Sequence, residues 1–295
     1  MAKVLDGKEL AESIEEQLLQ ERLRIEKDKT KSSPKLVSMM IGENASSEMY
    51  AASQKKLCNK FGILYEPEKL EENVSKEEIN QFIDKLNGDP HVTGIMVQLP
   101  LPEDIGHLDV IRRISSEKDV EALHPRHISR FLLGDYSLAP CTPAAIMELL
   151  KWRRIKLRGK EVVIIGHSDI TGKPLSWMLL DEFATVTVCH IATSERKLLQ
   201  KHIEGAEILI SAVGAKNFKI SGEWIKKDAV VIDVATKMEE GKIIGDIDFE
   251  SAKKKASYIT PVPGGVGPVT SIMLIKNFFE LYDHMDKYKQ YRPEF

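Results

Sequence analysis

One stretch constrains the fold more than any other part of the chain, the segment KEVVIIGHSDITGKP from Lys160 to Pro174. Its run of β-branched residues, Val162 to Ile165, predicts a strand buried on both faces, as in a parallel sheet. Gly166 ends that strand in a turn, and a helix is expected to begin after Gly172. Small residues let such a turn approach a pyrophosphate, and the N-terminus of the next helix presents N–H groups to it. The stretch predicts a dinucleotide site, with a purely structural turn as the alternative because the glycine spacing fits the usual fingerprint poorly.

Further short β-branched runs follow the central strand. Connecting segments separate them, which is the alternation typical of a doubly wound parallel sheet. We expect these strands over residues 184–190, 206–214, 229–234 and 257–259.

The N-terminal half alternates helices and strands in the same way. Tyr50 and Gln54 lie four residues apart in one predicted helix, so they share one of its faces. Gln98 stands near the carboxyl end of a predicted buried strand, where open α/β sheets place ligands. The predicted helices are 9–27, Ser46 or Ser47 to about Lys60, and 75–86, and the predicted strands are 35–42 and 94–102.

Two proline-containing segments mark the second half of the chain. In Pro140-Cys141-Thr142-Pro143, we expect Thr142 to be the N-cap of a helix and Pro143 its first residue. The segment TPVPGGVGPVT at 260–270 holds three prolines and three glycines, which predicts a rigid exposed loop with a cis proline that cradles a ligand. A last amphipathic helix is expected over 271–287, packed on the first domain.

Composition narrows the class of protein. The chain has 295 residues, with 42 basic and 45 acidic residues and a net charge of −3, so it carries no overall electrostatic footprint for nucleic acid. Cys58, Cys141 and Cys189 lack metal-ligand or disulfide spacing, which favours a reducing compartment. No apolar run approaches the length of a membrane span, and no signal sequence is visible. We therefore expect a cytoplasmic small-molecule enzyme without metal, nucleic acid or membrane; an organelle form from a processed precursor stays open.

Taken together, the motifs of the chain carry a resemblance from end to end. They are Tyr50 on its helix, Val97-Gln98-Leu99-Pro100-Leu101-Pro102, Lys118-Asp119-Val120, Pro140-Cys141-Thr142-Pro143, Gly166-x-Ser168 and the segment 260–268. The chain resembles the methylenetetrahydrofolate dehydrogenase/cyclohydrolase family.

The resemblance implies a fold and a set of site residues. It implies an N-terminal three-layer α/β domain, residues 1–140 with the C-terminal helix 271–295, and a Rossmann-type domain, residues 141–270. A folate cleft would lie between them, and the Rossmann domain would mediate a homodimer. The residues implied for the reacting centre and the pterin are Tyr50, Gln54, Gln98 and Glu121; for the substrate loop, Pro261, Val262, Pro263, Gly264 and Gly265; and for the cofactor, Gly166, His167, Ser168, Gly172 and Thr236.

Several positions depart from the family pattern. The family reads Tyr-x-x-x-Lys on the cleft helix, and here Gln54 stands at the lysine position. Lys55 and Lys56 point elsewhere, since each residue turns ~100° around a helix. Glu121-Ala122 replaces Asp-Gly, His127-Ile128-Ser129 replaces Asn-x-Gly, and Val234-Ala235-Thr236-Lys237 replaces Val-Gly-Ile-Asn.

These departures bear differently on the two family reactions. Hydride transfer from methylenetetrahydrofolate needs positioning rather than removal of a proton by the protein, so it can survive the loss of a lysine. Hydrolysis of the methenyl product needs an acid or base, which typically contributes ~10²–10⁴-fold, and glutamine cannot titrate. We therefore expect dehydrogenase activity with weak or absent cyclohydrolase activity.

Cofactor choice and function leave alternatives open. Members often have an arginine for the 2′-phosphate of NADP where this chain has His167, and Ile191 after His190 offers no hydrogen bond, so NADP is favoured slightly and NAD is possible. Besides the dehydrogenase, the chain could be a paralogue that binds or regulates without catalysis, or another NAD(P)-linked reductase.

Overall fold

The structure is a computed structural model, and it describes residues 1–27, 33–43, 45–99, 101–102, 105–239 and 241–289. Contacts divide the chain into two compact units. One comprises Met1–Ile14 with Pro140–Met273, and the other comprises Glu15–Ala139 with Leu274–Phe295. We call them the six-stranded unit and the three-stranded unit after their main sheets.

Helices and strands alternate along most of the chain. The helices are α1 (Gly7–Lys27), α2 (Ala45–Lys60), α3 (Lys76–Gly88), α4 (His107–Arg113), α5 (Pro125–Leu132), α6 (Cys141–Trp152), α7 (Gly172–Asp181), α8 (Ile191–Glu195), α9 (Leu199–Gly205), α10 (Phe249–Ala252) and α11 (Val266–Lys289). The strands are β1 (Lys3–Val4), β2 (Lys35–Ile41), β3 (Leu64–Leu70), β4 (Gly94–Val97), β5 (Glu161–Ile165), β6 (Thr185–Cys189), β7 (Ile208–Ser211), β8 (Val230–Asp233), β9 (Lys237–Glu239), β10 (Lys242–Ile244) and β11 (Tyr258–Ile259).

The six-stranded unit is built on a parallel sheet in the order β1-β11-β8-β7-β5-β6. The run Val162 to Ile165 in β5 is buried, as its β-branched sequence predicts. The chain leaves β5 toward β6 on one side and returns to β7 on the other, so the strand order reverses between β5 and β7. Ligands of open α/β sheets bind at such a reversal, beyond the carboxyl ends of the strands.

The N-terminal residues belong to this sheet. Lys3 of β1 pairs with Tyr258 of β11, and Val4 pairs with Ile259. Residues 1–14 therefore pack with the six-stranded unit, whereas the sequence placed them in the N-terminal domain. Two exposed strand residues gave no local sign of this long-range pairing.

The three-stranded unit has a parallel sheet in the order β3-β2-β4. The sequence predicted β2 and β4 but not β3, whose sequence LYEPEKL is charged and contains Pro67. A polar strand with proline suits a sheet edge, and β3 is an edge strand. The end of α11 packs here, with Asn277 donating hydrogen bonds of 2.9 Å to the carbonyls of Val120 and Ala139.

Several predicted boundaries are corrected by the structure. Thr142 is not an N-cap, because α6 already begins at Cys141 after Pro140. The final helix begins at Val266, inside the segment expected to be a loop, rather than at 271. Ser46 and Ser47 lie within α2, and Asn44 and Pro100 lie outside the described residues.

Two local predictions are confirmed, one at Gly62 and one at Pro263. Gly62 follows α2 with a φ of 66°, the left-handed conformation expected of a helix stop. The Val262-Pro263 peptide bond is cis. The thiols of Cys58, Cys141 and Cys189 are buried. Within the described ranges, no helix is both long and apolar enough to cross a membrane.

Candidate active site

Helix α2 brings Tyr50 and Gln54 together. The Gln54 side chain is 1% exposed, and its Nε2 donates a 2.7 Å hydrogen bond to the Tyr50 hydroxyl. The oxygen of the Gln54 side-chain amide, Oε1, is buried without a hydrogen-bond partner among the described residues. Lys55 and Lys56 are both exposed, as the helical geometry predicts. The buried position on this face is therefore neutral, and it keeps an acceptor that a ligand could use.

Gln98 lies directly after β4, as predicted, and is 6% exposed. Its Nε2 donates a 3.0 Å hydrogen bond to the hydroxyl of Ser38 in β2, which is fully buried. Tyr65 of β3 adjoins both residues, and burial raises the pKa of its hydroxyl. Gln98 just after β4, Ser38 in the middle of β2 and Tyr65 near the start of β3 thus contribute polar groups to one buried cluster.

Glu121 stands in a turn that Asp119 organises. The Asp119 carboxylate accepts N–H bonds from Glu121 at 3.1 Å and from His124 at 2.7 Å, and it is fully buried. Burial raises the pKa of Glu121 to about 8, and the nearby Asp119 charge adds to the rise. Burial also raises the pKa of Asp119, but its two N–H donors and the neighbouring imidazoles favour its charged form. At neutral pH, Glu121 is therefore mainly the protonated member of the pair.

Ala122 has a φ of 56° and is fully buried. This left-handed conformation is one that glycine adopts readily and alanine does not. The sequence resemblance implies a glycine at this position, and the turn has the backbone conformation that glycine favours. The turn therefore stores strain beside Glu121.

Two neighbours of this turn have structural roles. The Lys118 ammonium donates to the carbonyls of Leu86, Asn87 and Asp89 at 2.7 to 2.9 Å, so it caps the C-terminus of α3. His124 is the N-cap of α5, its Nδ1 accepting from the N–H of Arg126 at 3.1 Å. Neither side chain is left to act as an independent catalytic group.

In the six-stranded unit, the turn after β5 has the shape of a phosphate-binding turn. Gly166 has a φ of 114°, and a Cβ there would lie 2.5 Å from the Ala212 carbonyl oxygen. A Cβ on Gly172 would overlap the carbonyl of Gly166 and lie 2.9 Å from the Cα of His167. Both positions therefore require glycine, and the turn leads directly into the N-terminus of α7, which favours anions.

The other predicted cofactor residues lie around this turn to different extents. Ser168 accepts a 3.2 Å hydrogen bond from the N–H of Thr171, which shapes the turn. His167 is exposed, and its ring centroid lies 5.2 Å from that of His190. Thr236 is exposed in the segment after β8, and no hydrogen bond joins it to the turn among the described residues.

The predicted substrate loop, Pro261 to Gly265, follows β11 and precedes α11. The N–H of Gly7 donates a 2.9 Å hydrogen bond to the carbonyl of Gly264. A cavity of about 260 Å³ in the same unit is lined by Val262, Thr260 and Asp233, among others. Burial raises the pKa of Asp233 to about 7.

Ser38 and Tyr65 were not predicted from the sequence, and Asp119 and His190 were named there without a role in these clusters. Ser38 could have been found, because a serine inside an otherwise apolar buried strand is unusual. Tyr65 was missed together with its strand. Asp119 stood only within a motif, and His190 only beside Ile191.

Comparisons with known proteins agree with this geometry. Residues 5–121 match the family model "Tetrahydrofolate dehydrogenase/cyclohydrolase, catalytic domain", and residues 140–286 match "Tetrahydrofolate dehydrogenase/cyclohydrolase, NAD(P)-binding domain". The chain is 46% identical over 278 residues to the bifunctional protein FolD of Bacillus pumilus, covering 94% of this chain and 96% of the relative.

Solved structures give the same result. The bifunctional FolD enzyme of Campylobacter jejuni superposes with a TM-score of 0.89 at 40% identity, covering 97% of this chain and all of the other. The Trypanosoma brucei enzyme, solved with NADP cofactor and an inhibitor, also gives 0.89, at 34% identity and with 97% and 99% coverage. With both domain models and whole-length relatives matched, the chain belongs to the tetrahydrofolate dehydrogenase/cyclohydrolase family.

Proposed function

We propose that this chain oxidises 5,10-methylenetetrahydrofolate to 5,10-methenyltetrahydrofolate with NADP, and that it hydrolyses the methenyl product weakly or not at all. The observation that carries the second part is the buried Gln54, which leaves its helix face without an ionisable amine. Tyr50, Gln98 and Glu121 are the remaining residues that we assign to the reduced folate.

The residues present fit a nucleotide cofactor. Gly166 and Gly172 let the backbone of the turn pack closely, because a Cβ on either would collide with backbone atoms, and the turn leads into the N-terminus of α7, whose free N–H groups favour an anion. The bound nicotinamide would supply the hydride acceptor. Gly166, Ser168 and the first turn of α7 would hold the pyrophosphate, and His167 and Thr236 would flank the nucleotide.

Oxidation of the methylene compound requires the protein to orient the reactants, and it requires no proton transfer to a side chain. A hydride leaves the bridging carbon as a neighbouring nitrogen lone pair forms the cationic product, so no side chain has to take a proton. Tyr50 can stack beside the folate, its hydroxyl oxygen held by Gln54, while Gln98 is fixed by Ser38. A neutral Gln54 places no positive charge next to the developing cation, which favours this step.

Hydrolysis of the methenyl compound also requires acid or base catalysis. Water must be activated and protons moved in the transition state, and a positioned acid or base typically provides ~10²–10⁴-fold. The amide of Gln54 can orient a water molecule through its unpartnered oxygen, but it cannot accept a proton at neutral pH. The expected result is a dehydrogenase that releases the methenyl compound.

The substitution Gln54→Lys tests this assignment. Absorbance of the methenyl compound reports its formation from methylenetetrahydrofolate and NADP, and its decay, corrected for the rate without protein, reports hydrolysis. We expect wild type to form it and to hydrolyse it barely above that background rate, and Gln54→Lys to gain hydrolysis by ~10²-fold. Ser53→Lys, on an exposed neighbouring position, is the matched control and should gain nothing. Wild-type hydrolysis as fast as in Gln54→Lys would refute the proposal.

A second candidate function follows from Ala122. Its φ of 56° and the longer carboxylate of Glu121 alter the predicted pterin contacts, so a paralogue that binds ligand without turnover is the alternative. Calorimetric titration with tetrahydrofolate and with NADP separates the two functions. Binding of both without turnover would favour the regulatory alternative.

We also propose that the chain forms a homodimer through the six-stranded unit. β6 is an edge strand, and apolar side chains before it are exposed, among them Leu180 at 50% and Phe183 at 66%. Unpaired strand edges and apolar patches favour association. Light scattering after gel filtration should give twice the chain mass, and Phe183→Glu should reduce it to the monomer mass.

A further inference from the structure

A lysine on the hairpin β9-β10 holds the segment that follows β7. The Lys237 ammonium donates a 3.2 Å hydrogen bond to the Ala215 carbonyl and a second bond to the Phe218 carbonyl. Its side chain is only 10% exposed, and it lies on β9, which pairs with β10. Lys237 therefore joins this hairpin to residues 213–218, which we call the β7 segment.

A buried carboxylate holds the start of the β7 segment. Asp246 is fully buried, and it accepts hydrogen bonds from the N–H groups of Val213 at 2.9 Å and Gly214 at 3.1 Å. The hydroxyl of Ser211, the last residue of β7, adds a 2.7 Å bond. The Lys237 ammonium lies 3.8 Å from Oδ1 of Asp246, so it also compensates the charge of this carboxylate. Two charged side chains thus hold the β7 segment along its length.

The same carboxylate is anchored to the sheet through its own backbone. The N–H of Asp246 donates a 3.1 Å hydrogen bond to Oδ1 of Asp233, the last residue of β8. A Cβ on Gly245 would lie 2.1 Å from Oδ2 of Asp233, so this backbone packs directly on the carboxylate. The groups that hold the β7 segment are therefore fixed to β8.

The place of the β7 segment in the fold indicates what it contacts. The strand order reverses between β5 and β7, and doubly wound sheets bind dinucleotides across such a reversal. The adenosine half lies over the first strands, here β5 and β6, with the pyrophosphate at the N-terminus of α7. The nicotinamide half is then expected over the ends of β7 and β8. Val213 is 38% exposed, so the β7 segment offers a surface there.

We propose that Lys237 is a positioning residue for the nicotinamide half of the cofactor: it holds the β7 segment in a preformed conformation that this half contacts, and it does not affect the adenosine half. The inference rests on the proposed use of a nicotinamide nucleotide and goes beyond it, because it assigns a role to a residue outside the predicted site. The sequence resemblance implies asparagine at this position, so the role is particular to this chain.

Loss of the ammonium should loosen the β7 segment without opening the phosphate turn. Ala215 is exposed and Phe218 is half-buried, so water can bond to their carbonyls in place of the lysine. The ligand would then have to order the segment, which lowers the affinity for the part of the ligand that contacts it. Among the described residues, Lys237 makes no hydrogen bond with the turn at 166–172, so that turn should keep its shape.

Calorimetric titration of the full-length protein tests the proposal without turnover. The two ligands are NADP and adenosine 2′,5′-bisphosphate, which lacks the nicotinamide half. We expect Lys237→Met to weaken NADP binding by at least ~10-fold and to leave binding of the bisphosphate unchanged.

Two more variants complete the test. Lys242→Met, at an exposed position of the same hairpin, is the matched control and should leave both affinities unchanged. Lys237→Gln keeps an N–H donor but no charge, so it should show a smaller loss that is again confined to NADP. It takes the place of Lys237→Met if that variant does not fold.

A lysine with a merely structural role would give a different result. If the Lys237 variants bind both ligands as wild type does, or lose affinity for both alike, the positioning role is wrong and the dehydrogenase proposal stands. If wild type does not bind NADP, the proposed function fails with it.

Discussion

Replacing Glu121 by glutamine should make the protein more stable above neutral pH. The carboxyl has its ordinary pKa of 4.5 in the unfolded chain and about 8 in the folded one, where burial and the charge of Asp119 oppose ionisation. The folded state thus keeps a proton that the unfolded state releases. Because the folded pKa is the higher one, stability falls as pH rises from about 4.5 to about 8 and then stays constant.

The structure sets the size of the effect. A rise from 4.5 to about 8 corresponds, at ~1.4 kcal/mol per unit, to a ceiling of about 5 kcal/mol. The residue is partly exposed, so water and small shifts of the turn screen the charge. Glutamine has nearly the same shape, carries no charge, and can still accept the 3.5 Å bond from the N–H of Val97. We therefore expect Glu121→Gln to be about 2 kcal/mol more stable than wild type at about pH 8 and equal to it near pH 4.

The assay must report on the three-stranded unit. Trp152, Trp177 and Trp224 all lie in the six-stranded unit, so tryptophan fluorescence would miss the effect. Hydrogen exchange of peptides from β2 and β4, measured against urea concentration at several pH values, follows the unfolding of the three-stranded unit. Glu71→Gln, an exposed substitution outside helices and strands, is the control.

An equal difference in stability between Glu121→Gln and wild type at every pH would contradict this prediction. A uniform loss would mean that the carboxylate is needed in its charged form. Identical curves would mean that the carboxyl is solvated in the folded protein.

Three further predictions concern single positions. Gly172→Ala should lower the free energy of unfolding, measured by thermal denaturation, by ~1–3 kcal/mol and abolish NADP binding, because the new Cβ overlaps the Gly166 carbonyl. Gly205→Ala is the control, and it should be neutral or stabilising because the space around Gly205 is open. Lys118→Met should lower the free energy of unfolding, measured by urea titration, by ~2–4 kcal/mol, because it leaves the carbonyls at the end of α3 without their cap. Lys85→Met, at an exposed position, is the control and should change it little. The free energy of unfolding of Ala122→Gly should lie within ~1 kcal/mol of the wild-type value, since relief of backbone strain at a φ of 56° offsets the loss of the buried methyl group. Ala122→Val should lower the free energy of unfolding by at least ~3 kcal/mol.

The position of Gln54 could be predicted from the sequence because it depends on local geometry. Residues four apart on a helix share a face, and the structure joins Gln54 to Tyr50 by a 2.7 Å hydrogen bond. The central strand and its glycine turn were predictable for the same reason. A run of β-branched residues, and glycine where no Cβ fits, are properties of a few neighbouring positions.

Errors arose where a local pattern competed with its surroundings. Thr142 has the side chain of an N-cap, yet the helix begins one residue earlier, at Cys141. β3 looks like a loop by composition, and it is a strand because the edge of a sheet tolerates proline and charge. Cap and strand propensities amount to about 1 kcal/mol, which packing readily outweighs.

By itself, the sequence determined that this is a two-domain α/β protein of the tetrahydrofolate dehydrogenase/cyclohydrolase family, with Tyr50 and the neutral Gln54 on one face of a helix. Tertiary structure alone decided that β1 joins β11, that burial beside Asp119 raises the pKa of Glu121, and that the ring centroids of His167 and His190 lie 5.2 Å apart. The physical reason is the separation along the chain between the residues that interact. Periodicity, capping and backbone sterics act over a few residues and are written into the local sequence, whereas sheet pairing, desolvation and the meeting of two charges depend on segments brought together only when the chain folds.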